Sequence, residues 1–195
     1  MKSARSGGFT LIELMVGLAI LGLLLLAVLP DMTQWVRNTR VRNAAESIQN
    51  GMQKARMEAL RRNASVTFWL VTSADGSCAL SSAAGSWVIS LDNPSGHCGD
   101  AASTDTAPRI VEAHSAGDGY VDVVVSSRAT DGATAAKSVT FNGFGQVVNG
   151  STDVATVNFT HAITTDTRPL RVTVAPGGGV RMCDPSVVST DARAC

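Results

Sequence analysis

The 195-residue sequence has little that could do chemistry. It contains no Walker loop, no HExxH and no GxSxG, so the common signatures of nucleotide binding, zinc proteolysis and serine hydrolysis are missing. Gly143-Phe144-Gly145 is a turn between strand-like runs and not half of a nucleotide fingerprint. None of the four cysteines forms a CxxC, which removes the usual redox and zinc-ribbon readings. His114 and His161 are isolated, and His97 beside Cys98 lacks the rest of a metal or nucleophile site. There is no internal repeat, and a formal net charge of zero carries no hint about partners. These absences argue against an enzyme, and neither a cofactor nor a metal is expected.

Charge is scarce in one stretch and uneven elsewhere. From Leu14 to Leu29 no residue is charged. Residues 1–30 hold Lys2 and Arg5 against Glu13, residues 31–63 hold seven Lys/Arg against three Asp/Glu, and residues 64–195 hold seven against twelve. The last difference, 7 − 12 = −5, makes the bulk of the chain mildly acidic and disfavours a general nucleic-acid-binding role.

A helix from Phe9 to Leu29 would be about 31 Å long at 1.5 Å per residue, enough to cross the hydrocarbon core of a bilayer. A removed secretory signal fits less well. The stretch is long for such a segment, and Ala27-Val28-Leu29 puts a bulky residue where cleavage needs a small one. Neither reading explains Glu13, whose ionised carboxylate in a lipid-facing helix costs about 2.5–3.5 kcal/mol on the lenient insertion scales. The bland account is that it lies near the membrane surface and is tolerated; the alternative is that it has a partner.

The residues Gly8-Phe9-Thr10-Leu11-Ile12-Glu13, behind a short basic leader and ahead of the apolar run, resemble the class III signal of type IV prepilins and pseudopilins. Pro30 falls where many members carry a helix-bending proline. The resemblance implies that prepilin peptidase removes a leader, 1–8, by cutting between Gly8 and Phe9, and that Phe9 becomes an N-methylated N-terminus. It also implies that Glu13 recruits the subunit into a filament by pairing with a neighbour's terminal ammonium. Two charges, each costly alone in an apolar filament core, become tolerable as a pair, so burial selects the docking register.

Beyond Pro30 the apolar residues Val41, Ala44, Ile48, Met52, Ala55 and Ala59 recur at steps of three and four, while Arg42, Glu46, Asn50, Lys54 and Arg61 fall elsewhere on the wheel. That is one apolar stripe on a helix, reaching about Asn63 and packed on a domain. The basic excess on the other face reads as a solvated surface, and Glu58 with Arg62 makes a favourable i,i+4 pair. After Asn63 the texture is β: runs rich in Val, Thr and aromatics at 65–71, 86–91, 109–114, 120–126, 137–142, 154–160, 169–175 and 179–183, separated by turn residues. Stretches 72–85 and 92–108 read as loops, and Pro176-Gly177-Gly178 as the turn of a final hairpin. The expected class is α+β, type IV pilin-like: a transmembrane or filament-core helix (9–30), an amphipathic helix (31–63), and an antiparallel sheet head (64–195) with a C-terminal hairpin and tail.

The segments "QKARMEALRRNASVTF", "VTFNGFGQV" and "LRVTVAPGGGVRMCDP" resemble the subgroup that holds the H-type minor pseudopilin of type II secretion and the FimT/FimU-type minor pilins. The resemblance covers most of the chain and is patchy between Thr72 and Pro108. It implies a low-abundance minor pilin of a type IV pilus, acting in assembly or at the tip. The partners implied are other minor pilins, the major pilin and prepilin peptidase, with a single pass through the bacterial inner membrane and the head in the periplasm. The alternative is a minor pseudopilin of a secretion pseudopilus. Some FimT-type proteins bind DNA through Gly-Arg-x-Arg in the terminal hairpin; here Gly178-Gly179-Val180-Arg181 keeps only the second arginine. Arg181 with Arg171, and Arg168 nearby, is thin equipment for phosphates, so a DNA-binding minor pilin for natural transformation is the less favoured alternative and nucleic acid is not an expected partner. Outside the cytoplasm, Cys78, Cys98, Cys183 and Cys195 are expected in disulfides; three connectivities exist, and proximity favours Cys78 with Cys98 and Cys183 with Cys195.

Overall fold

The computed structural model describes residues 8–117, 120–163 and 166–195, and over 25–31 the backbone alone. The basic leader residues Lys2 and Arg5 therefore lie outside the described residues. Helix α1 runs from Leu11 to Arg62, 52 residues, and is helical through position 30. The side chain of Pro30 is not among those described, and the bend expected there stands on the sequence alone.

The chain divides after Val36 into two compact units, so the second half of α1 belongs with the β-rich part and not with the N-terminal segment. The first unit is a helix start with its apolar side chains outward: Phe9 is 92% exposed, and Leu11, Ile12, Leu14 and Leu18 are also exposed. Among the described residues no helix is long and apolar enough to cross a membrane; the charge-free run from Leu14 is described with side chains only as far as Leu24.

In the second unit, every residue of the expected stripe, Val41 to Ala59, is fully buried. Gly51 lets the helix come close to the sheet, since a Cβ there would lie 2.7 Å from Phe68 Cε2 and 2.9 Å from the Trp87 ring. The helix ends in a Schellman-type cap: Asn63 adopts φ +48°, its N–H donates to Leu60 O, and Ala64 N–H donates to Ala59 O, satisfying carbonyls that the last turn would leave open.

Eight strands follow: β1 (Val66–Val71), β2 (Ser86–Ser90), β3 (Ile110–His114), β4 (Val123–Arg128), β5 (Ser138–Phe141), β6 (Thr156–His161), β7 (Leu170–Val174) and β8 (Val180–Cys183). Each overlaps one of the eight β-textured runs, most loosely at β4, which starts three residues into the run 120–126 and ends two residues beyond it. They form two sheets, ordered β3-β2-β1-β5 and β4-β6-β7-β8, all pairs antiparallel. The single head sheet expected from the sequence is thus two. The physical reason is that both sheets meet the helix in one core: Phe68, Leu70, Ile89, Val139 and Phe141 from the first and Val125, Val157, Phe159 and Val172 from the second pack with Ile48, Met52 and Ala55.

The first sheet is covered on its other side as well. Val71, Cys78, Val88, Cys98 and Ile110 form a second small core with Trp69 and Leu80, and the disulfide Cys78–Cys98 closes the loop that covers it. β1 and β2 are therefore buried on both faces, which is why "VTFWLV" and "SWVIS" do not alternate apolar with polar. The two stretches read as loops, 72–85 and 92–108, are the cover.

Candidate functional site

The expected processing signal sits at the start of α1. Gly8, Phe9 and Thr10 precede the helix in irregular backbone, and all three are exposed; nothing lies within 4 Å of a Cβ built on Gly8. Glu13 is tied to Thr10 by three hydrogen bonds. The Thr10 N–H donates to Glu13 Oε2 at 2.9 Å, the Thr10 hydroxyl donates to the same oxygen at 2.8 Å, and the Glu13 N–H donates back to Thr10 Oγ1 at 3.3 Å. With the helix beginning at Leu11, Thr10 is the N-cap and Glu13 the third helical residue, which makes a capping box. The carboxylate also lies at the positive end of the helix dipole. Sequence reasoning gave Glu13 a filament role and missed this local one, although T-x-x-E ahead of an apolar run is its recognised signal. Every group in the box lies on the C-terminal side of the Gly8–Phe9 bond, so cleavage there would leave it intact.

The second candidate region is the terminal hairpin. β7 and β8 are joined by a turn in which Gly178 N–H donates to Ala175 O and Ala175 N–H donates to Gly179 O, each at 2.8 Å, with Gly178 at φ +80°. This is a type I turn closed by a G1 bulge. The turn at Gly143-Phe144-Gly145 meets it: a Cβ on Gly178 would lie 1.7 Å from the Gly145 carbonyl oxygen, and Arg56 Nε donates to that oxygen at 3.0 Å. Arg56 belongs to the basic excess expected to be solvated, and the structure corrects that expectation at this residue, whose guanidinium clasps the turn. Phe144, at the turn's tip, is 80% exposed. Glu58 takes Arg62 at 2.8 Å and Arg61 at 2.7 Å; the Arg61 hydrogen bond is the first cause holding its carboxyl below the usual range.

Register brings the arginines of the hairpin together. Arg171 opposes Cys183 and Thr173 opposes Arg181, so Arg171 and Arg181 are diagonal neighbours on the face opposite Val172 and Val174, which are buried. Neither guanidinium is idle. Arg171 Nε donates to Asn158 Oδ1 at 2.6 Å, and Arg181 Nη2 donates to Ala194 O at 3.4 Å. What the structure shows at Arg168 is a backbone contact, its N–H donating to Asn38 Oδ1. The tail returns to β8: Cys183 is bonded to Cys195, Asp184 N–H donates to Arg193 O, and the Asp191 carboxyl is lowered to about 2, first by the Arg193 guanidinium and then by the Arg193 N–H. His97 Nδ1 lies 3.0 Å from Asp100 Oδ2 on the surface, and its neighbour Cys98 is in a disulfide.

An apolar helix start that carries one capped carboxylate and continues into the buried stripe of a β-rich head defines a pilin-type subunit. The family model for Type II transport protein GspH matches residues 44–178, and that for the prokaryotic N-terminal methylation motif matches residues 3–29; the chain belongs to the GspH family of pilins and pseudopilins. Its members are structural subunits that assemble with other pilins. Two crystal structures of the type IV minor pilin FimU from Pseudomonas aeruginosa PAO1 are similar in fold. One is 16% identical, covering 75% of this chain and 94% of that one at TM-score 0.47; the other is 15% identical, covering 75% and 90% at the same TM-score. No curated protein sequence matches the chain.

Proposed function

We propose that the chain is a minor pilin of a type IV pilus. Prepilin peptidase cuts it between Gly8 and Phe9, Phe9 is N-methylated, and residues 9–30 hold it in the bacterial inner membrane with the head in the periplasm until it joins the major pilin and other minor pilins at initiation or at the tip. The observation that carries this reading is the fully outward apolar surface of the helix start, with Phe9 and Leu11 to Leu24 exposed directly after an accessible Gly8–Phe9 bond. Such a surface needs lipid or neighbouring helices to cover it. Replacing Gly8 by a larger residue is expected to leave uncleaved precursor, read by intact mass; normal maturation would overturn the proposal.

A second reading, a minor pseudopilin of type II secretion, is supported by the description of the matching family. The terminal Cys183-Asp184-Pro185 after its hairpin points to the pilus branch. Deletion decides between them. Loss of pili and twitching with secretion intact supports the first, and the opposite phenotype the second.

A further inference from the structure

The outward face of the second sheet is basic in a head that is acidic overall. Along the strands, Arg128, Thr156, Thr173 and Arg181 stand opposite one another from β4 to β8, and Asn158 and Arg171 form the next row. Their neighbours in sequence, Ser127, Val157, Val172 and Val174, are buried, so alternation puts these six on the face away from the core. The face holds three arginines and no strand carboxylate, in a segment whose overall balance is seven basic against twelve acidic residues.

This face ends at an open edge. Ala175 N–H donates to Gly179 O, and hydrogen-bonded pairs alternate along an antiparallel ladder. Arg181 and Cys183 therefore turn their backbone groups toward β7, while Val180 and Met182 turn theirs away. The tail covers the next position, where Asp184 N–H meets Arg193 O and Asp184 bridges Ala194. Among the described residues no hydrogen bond occupies the outward N–H and C=O of Val180 and Met182. Their side chains point toward the core side and are half-buried. The other end of this sheet is not open in the same way, since Ser127 N–H donates to Ser82 O and Ala129 N–H to Thr134 O.

We infer that the free edge of β8 is a docking surface for an extended acidic segment of a neighbouring filament subunit, added as a strand beside Val180–Cys183. The inference rests on the reading of the chain as a filament subunit. Backbone groups of Val180 and Met182 supply the ladder, and carboxylates on one side of the incoming strand meet Arg181 and, beyond it, Arg171. Apolar residues on its other side extend the core past Val180 and Met182. An unpaired backbone edge offers alternating N–H and C=O groups, which a peptide strand can pair in full, whereas a phosphodiester has no donor for the C=O groups. Three cations, one bonded to Asn158 and one to Ala194, are few for a nucleic acid at physiological salt. Of the two tail aspartates nearby, Asp191 is offset by the Arg193 guanidinium, while Asp184 is held by the neutral N–H and hydroxyl of Ser186 and keeps its charge at the end of β8.

The test uses the full chain in detergent with three labelled probes: a short peptide alternating Glu and Val, the same peptide with Lys for Glu, and a single-stranded oligonucleotide. Saturable binding of the acidic peptide, slowed amide exchange at Val180 and Met182, and a loss of about tenfold or more in affinity on Arg181→Glu are expected. Met182→Pro, which deletes one outward N–H, should weaken binding while Cys183–Cys195 still forms. Binding of the oligonucleotide but not the acidic peptide, equal binding of both peptides, no binding, or binding without protection at Val180 would each overturn the inference. The filament reading is scored separately by Gly8 processing, so its failure is not confused with failure at β8.

Discussion

Gly178 and Gly145 lie so close that a Cβ on Gly178 would sit 1.7 Å from the Gly145 carbonyl oxygen, the same oxygen that accepts the Arg56 Nε–H. The contact locks the β7–β8 turn, the 143–145 turn and the helix to one another. Gly178→Ala must open it and must also place a side chain at φ +80°; destabilisation of about 3 kcal/mol is expected. Gly177, with nothing within 4 Å of a built Cβ, is the control, and its alanine variant should melt within a degree or two of the parent. Equal melting of the two variants by circular dichroism would show the contact to be without energetic weight.

Glu13 caps its own helix through Thr10, and the proposed filament role assigns the same carboxylate to a neighbour. The two roles separate by mutation. Thr10→Val removes the cap hydroxyl, a loss of about 0.5–2 kcal/mol of helix stability, yet leaves the carboxylate. Under the filament reading it should retain substantial incorporation into sheared pili, whereas Glu13→Ala should insert in the membrane and fail to incorporate. Equal defects in the two variants would reduce Glu13 to a capping residue.

The bond Cys183–Cys195 closes a short loop, with a sequence separation of 12, and holds the tail on the rim of the second sheet. The Cys183→Ser, Cys195→Ser double variant should lose about 3 kcal/mol by the loop-entropy estimate, seen as a lower denaturant midpoint. Proteolysis should nick it first between Asp184 and Ala194. A variant nicked first in the 72–108 loop would place the weak point elsewhere.

The same tail should respond to acid. Asp191 is lowered from 3.8 to about 2 by the Arg193 side chain and N–H, so the folded tail holds its proton less tightly than the unfolded one. Its contribution is complete above the unfolded value, declines as the pH falls below 3.8, and is gone under about 2. Protection of the Asp184 amide, which donates to Arg193 O, should fall across that interval in the parent. It should be lower and flat in Asp191→Asn.

The stripe from Val41 to Ala59 and the eight strands were legible because each is a local pattern: apolar residues at helical steps, and short runs of β-branched residues between turn formers. Pairing was not, since nothing local tells that β1 lies between β2 and β5 while β4 starts a second sheet. "VTFWLV" concealed its environment for a related reason. A strand buried on both faces loses its alternation, and the loop that covers Trp69 and Val71 has the composition of a solvent-exposed connection. Arg56 could not be told from its solvated neighbours, because its acceptor is a backbone carbonyl 89 residues away. At the signal, the motif residues could be read directly, while the reciprocal bonds of Thr10 and Glu13 use the same T-x-x-E spacing as the processing motif and so leave no separate mark in the sequence.

The polar ties of the helix to the head are strung along its length: Asn38 to Arg168, Arg40 to Asp122, Ala44 to Tyr120, Ser47 to Trp87, Lys54 to Glu112 and Arg56 to Gly145. From 38 to 56 they span about 27 Å at 1.5 Å per residue and reach β2 and β3 of the first sheet, the 143–145 turn, and the connections that lead into β4 and β7 of the second. A pull directed along this stretch of helix therefore loads them side by side, in shear, and no single tie must yield before the next is strained. Peeling the helix away sideways would break them one after another. The head is built to resist tension along its helix far better than a sideways tug.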